Sequence, residues 1–122
     1  HAKPAAMSRY WLKVGARCEE QRSSGLWVST AAGSTGAIRS AAGRAMPKTA
    51  RQIQYRPREL YSGGGRAYRL KGGVLSPKKG LRIGSLMREG LVCLDGEHHA
   101  VAFRYGSVLT VRPSSIPLRW LA

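Results

Sequence analysis

The sequence contains few acidic residues. Only 6 of its 122 residues are Asp or Glu, whereas 21 are Lys or Arg, which gives a net charge of +15. A compact monomer with this charge repels itself unless an anionic partner neutralises it, and so few carboxylates leave few candidates for acid–base catalysis. We therefore expect a polyanion-binding protein rather than a free-standing metabolic enzyme, and we assign no catalytic residue.

The sequence also has few cysteines and histidines and no long hydrophobic run. Cys18 and Cys93 lie far apart and form no CxxC motif, which excludes a disulfide framework and a cysteine zinc site. One disulfide is possible, but two reduced thiols are favoured. His98 and His99 are adjacent, so in a strand they would point to opposite faces and form no metal-binding pair. We predict no metal and no cofactor. No apolar run reaches the roughly 18 residues of a membrane helix, and we expect no membrane partner.

The positive charge is concentrated in the first part of the chain. Residues 1–88 contain 18 basic and 3 acidic residues, whereas residues 89–122 contain 3 of each. The segment 29–48 is rich in Ala, Gly, Ser and Thr and has no aromatic residue. Such a segment cannot bury enough apolar surface to order itself. We expect it to be an extended basic arm that is ordered by its partner.

Hydrophobic patterning predicts different structures on the two sides of this arm. Upstream, Ala5 to Cys18 is compatible with a short amphipathic helix or with the remnant of a targeting sequence. Downstream, alternation and turn residues predict strands at Leu81–Ile83, Leu91–Leu94, Val101–Tyr105 and Val108–Val111, with turns at Asp95–Gly96 and Gly106–Ser107. Short strands separated by glycine-containing turns predict a small β-barrel or sandwich.

These features define a predicted fold and domain organisation. The fold class is mostly β, with a small β-barrel of the barrel-sandwich type and a long, extended basic N-terminal arm. The predicted segments are an N-terminal extension (1–28), an extended basic RNA-binding arm with an insertion (29–67), the small β-barrel (68–112) and a C-terminal tail (113–122).

Basic residues interleaved with Tyr55, Tyr61 and Tyr68 predict a nucleic-acid interface. The planar guanidinium of Arg pairs bidentately with phosphate and stacks on bases, and tyrosine rings stack on unpaired bases. The predicted RNA-binding cations are Arg39, Arg44, Lys48, Arg51, Arg66, Arg69, Lys71, Lys78, Lys79 and Arg82.

One short motif in the arm is similar to a known family. Gly33-Ser34-Thr35, followed by Arg39 and by Ala42-Gly43-Arg44, resembles the N-terminal arm of the large-subunit ribosomal protein family L-twenty-seven. That family carries Gly-Ser-Thr, three spacer residues, an Arg, then Ser-Ala-Gly and basic residues. A second, weaker match makes residues 82–86 and 100–111 look like a strand and the closing hairpin of the family's barrel. The extension before Gly33 and an insertion around residues 50–75 resemble an organellar protein of the mitochondrial type.

The resemblance implies a structural constituent of the large ribosomal subunit and not an enzyme. Its implied partners are large-subunit rRNA, the tRNA acceptor end and neighbouring ribosomal proteins. Its implied location is the mitochondrial ribosome, with a plastid or bacterial ribosome as the alternative. Gly33, Ser34 and Thr35 would lie nearest the tRNA end, close to the peptidyl transferase centre, and the arm's cations would contact rRNA phosphates.

Two other functions stay open at this point. One is a non-ribosomal RNA-binding factor that uses the same small barrel. The other is a small nuclease with a metal ion near Asp95, Glu97 and His99.

Overall fold

Every regular element in the described part of the chain is a β-strand. The computed structural model describes residues 7–30, 52–61, 67–76, 79–94 and 99–112. The strands are β1 (Ser8–Val14), β2 (Arg17–Ser23), β3 (Gly25–Thr30), β4 (Ile53–Arg58), β5 (Gly73–Leu75), β6 (Leu81–Ser85), β7 (Leu91–Leu94), β8 (His99–Ala102) and β9 (Val108–Val111). The mostly-β prediction is confirmed.

The strands form antiparallel sheets whose order differs from the chain order. A four-stranded sheet has the order β2-β1-β6-β9, a three-stranded sheet the order β3-β4-β5, and β7 pairs with β8 alone. These sheets are not closed into a barrel, because β2 and β9 are the edges of the largest sheet in the described residues. The expectation of a closed small barrel is therefore wrong. Periodicity in the sequence predicts strands but does not determine whether a sheet closes.

The segment predicted as an amphipathic helix is instead a β-hairpin. Ser8, Tyr10 and Leu12 alternate with exposed or half-buried neighbours along β1, which is the period of a strand. Val14 pairs with Arg17 across a two-residue turn. Gly15, at the first position of that turn, has φ 60°, a conformation that glycine adopts without strain.

A single hydrophobic cluster joins the two larger sheets. Its buried side chains are Tyr10, Leu12, Ile53, Tyr55, Leu70, Leu75, Leu81, Ile83, Met87 and Phe103. They come from β1 and β6 of the four-stranded sheet, from β4 and β5 of the three-stranded sheet and from three connecting segments. The face of β1 that carries Tyr10 and Leu12 is therefore the inner face, and the opposite face of that sheet is the outer one.

Strand pairing also runs across the segments expected from the sequence. β1, within the predicted extension, pairs with β6, within the predicted barrel region. Residues 29–30 and 53–58 of the predicted arm lie in paired strands. Residues 31–51 lie outside the described ranges, so an extended conformation there stays a prediction, as do the domain boundaries.

Two further expectations concern the cysteines and membrane helices. Cys18 and Cys93 are both free, as the sequence predicts, and the structure shows that both are exposed. Across the described residues, no helix has the length and apolarity required to cross a membrane.

Candidate functional site

The described residues hold no arrangement of side chains suited to metal binding. Within ranges 7–30, 52–61, 67–76, 79–94 and 99–112, no three His, Cys, Asp or Glu side chains come together. The acidic residues of the nuclease alternative, Asp95 and Glu97, lie outside those ranges. Of the three residues proposed for the nuclease metal site, the structure describes only the backbone of His99, which pairs with Leu94 in the β7–β8 hairpin.

The carboxylate of Glu19 connects β2 with the loop that precedes β5. Glu19 Oε2 accepts a hydrogen bond from the backbone N–H of Arg69 (3.0 Å), and Oε1 accepts one from that of Leu70 (2.9 Å). Oε1 also accepts a hydrogen bond from Gln21 Nε2 at 2.8 Å. One carboxylate thus satisfies two successive backbone donors and fixes the position of this loop. Charge-assisted hydrogen bonds of this kind are the stronger ones in proteins.

These contacts lower the pKa of the Glu19 carboxyl group. Partial burial alone would raise the pKa of this carboxyl group, but the hydrogen bond from Gln21 and those from the Arg69 and Leu70 backbone lower it. The nearby charge of Arg69 acts in the same direction, and the pKa is lowered overall. Glu19 is therefore ionised at neutral pH, which is the state that accepts all three hydrogen bonds.

A buried polar network lies beside Glu19 on the inner face. The Tyr10 hydroxyl donates to Gln21 Oε1 at 3.0 Å and lies 2.8 Å from Ser23 Oγ. Gln21 Nε2 donates to the Leu70 carbonyl at 2.6 Å. Burial raises the pKa of Tyr10 to about 12, despite the hydrogen bond with Ser23. Because its members are hydrogen-bonded to one another, the network ties the loop to the hairpin without leaving those groups unpaired.

The same loop brings cationic side chains next to β4. Gly72 has φ 133°, and a Cβ built on it would lie 2.5 Å from Arg56 Nη1, so the Arg56 side chain lies directly over this glycine. Arg69 and Lys71 are exposed on the loop itself. Burial and the charge of Glu19 raise the pKa of Tyr55, whose ring packs against the following Gly73. We call Arg69 and Lys71 on this loop, together with Arg56 on the adjacent strand β4, the loop cations.

The structure places four of the predicted RNA-binding residues. Arg69 and Lys71 lie together on the loop held by Glu19. The Lys79 N–H donates a hydrogen bond to the Ser76 carbonyl at 3.0 Å, and the Lys79 side chain is exposed. Arg82 is exposed on the outer face of the four-stranded sheet, opposite Lys13 on β1. The predicted residues therefore do not form one continuous cluster in the described part.

The other predicted residues lie outside the described ranges. Arg66 and Lys78 are in short gaps, and the remaining ones lie within 31–51: Gly33, Ser34, Thr35, Arg39, Arg44, Lys48 and Arg51. The two ends of this connection are placed, because Thr30 at the end of β3 pairs with Ile53 at the start of β4. The connection thus leaves and re-enters the same sheet at neighbouring strands.

Sequence reasoning missed the residues that organise the loop. Glu19 and Gln21 were not singled out, because the preceding segment matched helical spacing as well as strand spacing. The alternation of Ser8, Tyr10 and Leu12 and the Gly15 turn were the signals for a hairpin. No sequence signal links Glu19 to Leu70, since that contact depends on tertiary structure.

The sequence is similar to plant NADH kinases. It is 32% identical over 117 residues to a probable NADH kinase of Oryza sativa subsp. japonica, an alignment that covers 91% of this chain and 36% of the rice protein. It is 39% identical over 75 residues to an NADH kinase of Arabidopsis thaliana, covering 62% of this chain and 23% of that protein. The chain thus spans about a third or less of the length of these relatives. No family model matches the chain.

The fold is similar to that of a solved NAD kinase. The crystal structure of an NAD kinase from Archaeoglobus fulgidus in complex with ATP matches with a TM-score of 0.74 and 25% sequence identity. The match covers 94% of this chain and 43% of the archaeal one.

These similarities overturn the ribosomal interpretation. The relatives are NADH kinases and the structural neighbour is an NAD kinase, so the resemblance to the L-twenty-seven family is wrong. The predicted roles in the ribosome and in translation are therefore wrong, as are the predicted rRNA, tRNA and ribosomal-protein partners. The predicted location in the mitochondrial ribosome is also wrong, and so is the expectation that the chain belongs to no enzyme. The alternative of an RNA-binding factor has no support either. The Gly-Ser-Thr motif is short and of low complexity, and a charge of +15 attracts any polyanion, so neither feature specifies RNA.

Proposed function

We propose that this chain is the β-stranded part of an NAD(H) kinase, an enzyme that transfers a phosphoryl group from ATP to NADH or NAD. The observation that carries the proposal is the 32% identity to a probable NADH kinase over 91% of this chain. The similarity in fold to an NAD kinase that was solved with ATP agrees with it.

The charge of the chain suits these substrates. A dinucleotide carries a pyrophosphate and ATP a triphosphate, so both are strongly anionic, and arginine is the side chain best suited to pair with phosphate oxygens. Glu19 anchors the backbone of the loop that carries Arg69 and Lys71, and the Arg56 side chain lies over Gly72 of the same loop. We assign to the loop cations the binding of substrate phosphate groups.

The residues of the Gly33-Ser34-Thr35 connection fit the same role on chemical grounds. Small side chains let backbone N–H groups approach phosphate oxygens closely, and the cations that follow add attraction. The connection begins and ends at paired residues of β3 and β4. Gly33, Ser34, Thr35, Arg39 and Arg44 are therefore proposed as nucleotide contacts rather than RNA contacts.

The test is an assay of the protein with NADH and ATP. NADH binding is followed by its own fluorescence, and NADPH formation by chromatography, with omission of ATP as the control. We expect saturable NADH binding and NADPH that forms only when ATP is present. A protein that neither binds NADH nor forms NADPH would overturn the proposal.

Binding and turnover are separate readouts. Because the chain covers 36% of the length of the rice relative, binding tests the substrate assignment to these residues directly, while turnover tests the whole kinase reaction. Adenosine serves as the uncharged competitor. We expect it to displace NADH far less well than ADP does, because it lacks the phosphates that the cations are proposed to bind.

A further inference from the structure

A cavity opens beside the start of β1, between that strand and the segments that follow β6 and precede β9. Its volume is about 410 Å³, and it is lined by Met7, Arg9, Leu86, Met87, Arg88 and Tyr105. Pockets of several hundred Å³ are typical of small-molecule sites. We call it the β1 cavity.

The walls of the β1 cavity are fixed by backbone hydrogen bonds. The Leu86 N–H donates to the Arg9 carbonyl at 3.1 Å and joins the segment after β6 to β1. The Ser85 N–H donates to the Ser107 carbonyl (2.9 Å), and the Gly106 N–H donates to the Ser85 carbonyl (3.0 Å). The turn that carries Tyr105 is thereby held against the same segment. The cavity is formed by three connected pieces of backbone and needs no rearrangement to exist.

The lining combines an apolar floor with two guanidinium groups. Met87 is buried and Leu86 half-buried, while Met7 and the Tyr105 ring are 42% and 72% exposed. Large apolar and aromatic groups exposed at a concave site are features of ligand sites. Arg9 and Arg88 add positive charge at the rim.

The positive charge here is incompletely neutralised. Arg9 pairs with Glu20 at 3.3 Å, with both side chains about half exposed. Arg88 has no carboxylate partner in the part of the chain that the structure describes, and Glu89, next in sequence, does not line the cavity. On the neighbouring strand Arg22 is directly opposite Arg9, and like charges in that relation destabilise a sheet. An anion bound at this end of the sheet would reduce that repulsion.

We propose that the β1 cavity binds an aromatic organic anion of mononucleotide size, with its anionic group at Arg9 and Arg88 and its ring against Tyr105. Guanidinium groups pair with phosphate or carboxylate oxygens, and a tyrosine ring stacks on a flat aromatic group. Methionine thioethers adapt their shape to such rings. The proposal does not depend on the kinase activity, because it is argued from the lining of this cavity alone.

Methionine methyl NMR tests the proposal. The chain has 3 methionines, two of which, Met7 and Met87, line the cavity. Protein labelled at the methionine methyl carbons is titrated with AMP, adenosine or inorganic phosphate, and signals are assigned from Met→Leu variants. We expect AMP to shift the Met7 and Met87 signals saturably, and adenosine and phosphate to bind much more weakly.

Matched variants separate this site from general attraction of anions. Arg88→Gln should weaken AMP binding at Met7 and Met87 by about tenfold or more, since a charge-assisted hydrogen bond is lost. Arg104→Gln, an exposed arginine outside the cavity, makes the same change in charge and should leave the affinity unchanged. Absence of AMP shifts at both methionines, equal affinity for adenosine, or equal weakening by both variants would each overturn the proposal. Failure of NADH to bind elsewhere would not affect it.

Discussion

The carboxylate of Glu19 accepts a hydrogen bond from the backbone N–H of Leu70, which lies 51 positions further along the chain, at a distance of 2.9 Å. The same carboxylate binds the N–H of Arg69 and the side chain of Gln21. A single acidic side chain therefore holds the loop that presents Arg69 and Lys71. In a chain with only 6 carboxylates, this one has a defined structural role.

Replacing Glu19 with Ala should loosen this loop. Two backbone donors and the Gln21 amide lose their shared acceptor, and each such loss costs about 1–3 kcal/mol where the group stays buried. We expect a reduced free energy of unfolding in urea and faster amide hydrogen exchange at Arg69 and Leu70. Glu20→Ala is the matched control, because Glu20 makes an exposed ion pair worth about 0–1 kcal/mol. Equal exchange rates at Arg69 and Leu70 in both variants would contradict the assigned role.

The stability of the protein should fall in acid partly through Glu19. Its pKa is lowered in the folded state from the ordinary 4.5, so its contribution is present above pH 4.5 and is lost as the pH falls through the folded-state value. Urea titrations at neutral pH and at acidic pH measure this loss. In Glu19→Gln, which does not titrate, the decrease between the two conditions should be smaller than in the unmodified chain.

Tyr10 should make the protein sensitive to alkali. Burial raises the pKa of its hydroxyl to about 12 from 10.0, so its stabilising contribution is complete below pH 10 and is lost as the pH rises towards 12. The free energy of unfolding, measured by urea titrations at successive pH values, should decline across that interval. Tyr10→Phe removes the titration and two hydrogen-bond contacts, so it should be less stable at neutral pH but decline less in alkali.

The contact between Trp11 and Gly84 should tolerate no side chain at position 84. These residues are directly opposite each other on β1 and β6, and a Cβ on Gly84 would overlap the indole ring. Gly84→Ala should therefore destabilise the protein by about 1–3 kcal/mol, the usual effect of overpacking. A double-mutant cycle with Trp11→Ala, measured in urea, checks the cause. If Gly84→Ala is as destabilising without the indole as with it, Trp11 is not the reason.

The loop cations should contribute to nucleotide binding under the proposed kinase function. Arg69→Ala together with Lys71→Ala should weaken NADH binding by about tenfold or more, because two phosphate partners are removed. The double variant Lys13→Ala with Arg82→Ala is the matched control. It removes the same amount of positive charge from two exposed residues that are paired across β1 and β6 on the outer face. Equal weakening by the two double variants would indicate general electrostatic attraction.

The sequence predicted the strands of the C-terminal half better than their arrangement. Alternation and turn residues identified β6, β7 and β9 with nearly their observed bounds. β1 was misread because Tyr10, Trp11, Val14 and Cys18 fit a helical face, whereas the partner that makes β1 a strand, β6, is distant in sequence. The arrangement around Glu19 was unpredictable for the same reason, since Leu70 reaches it only through the tertiary fold.

The functional misreading has a related physical cause. A net charge of +15 and a Gly-Ser-Thr motif indicate affinity for phosphate, but they do not distinguish the phosphates of RNA from those of a dinucleotide. That distinction depends on the three-dimensional setting of the cations. Here the two ends of the connection that carries the motif pair with each other at Thr30 and Ile53, and the loop that carries Arg69 and Lys71 is anchored to β2 by Glu19.

Ser85 should control the shape of the β1 cavity. Its side chain is fully buried, with Oγ donating to the Phe103 carbonyl at 2.7 Å and accepting from the Met87 N–H at 3.2 Å. Ser85→Ala leaves both backbone groups without this partner, so we expect a loss of about 1–3 kcal/mol in the free energy of unfolding. We also expect a shifted Met87 methyl signal in the folded protein and weaker AMP binding. Ser107→Ala is the control, because Ser107 binds Ser85 and Arg104 through its backbone carbonyl and N–H, which the substitution retains. A Ser85→Ala protein with unchanged stability and an unchanged Met87 signal would show that backbone hydrogen bonds alone maintain the cavity.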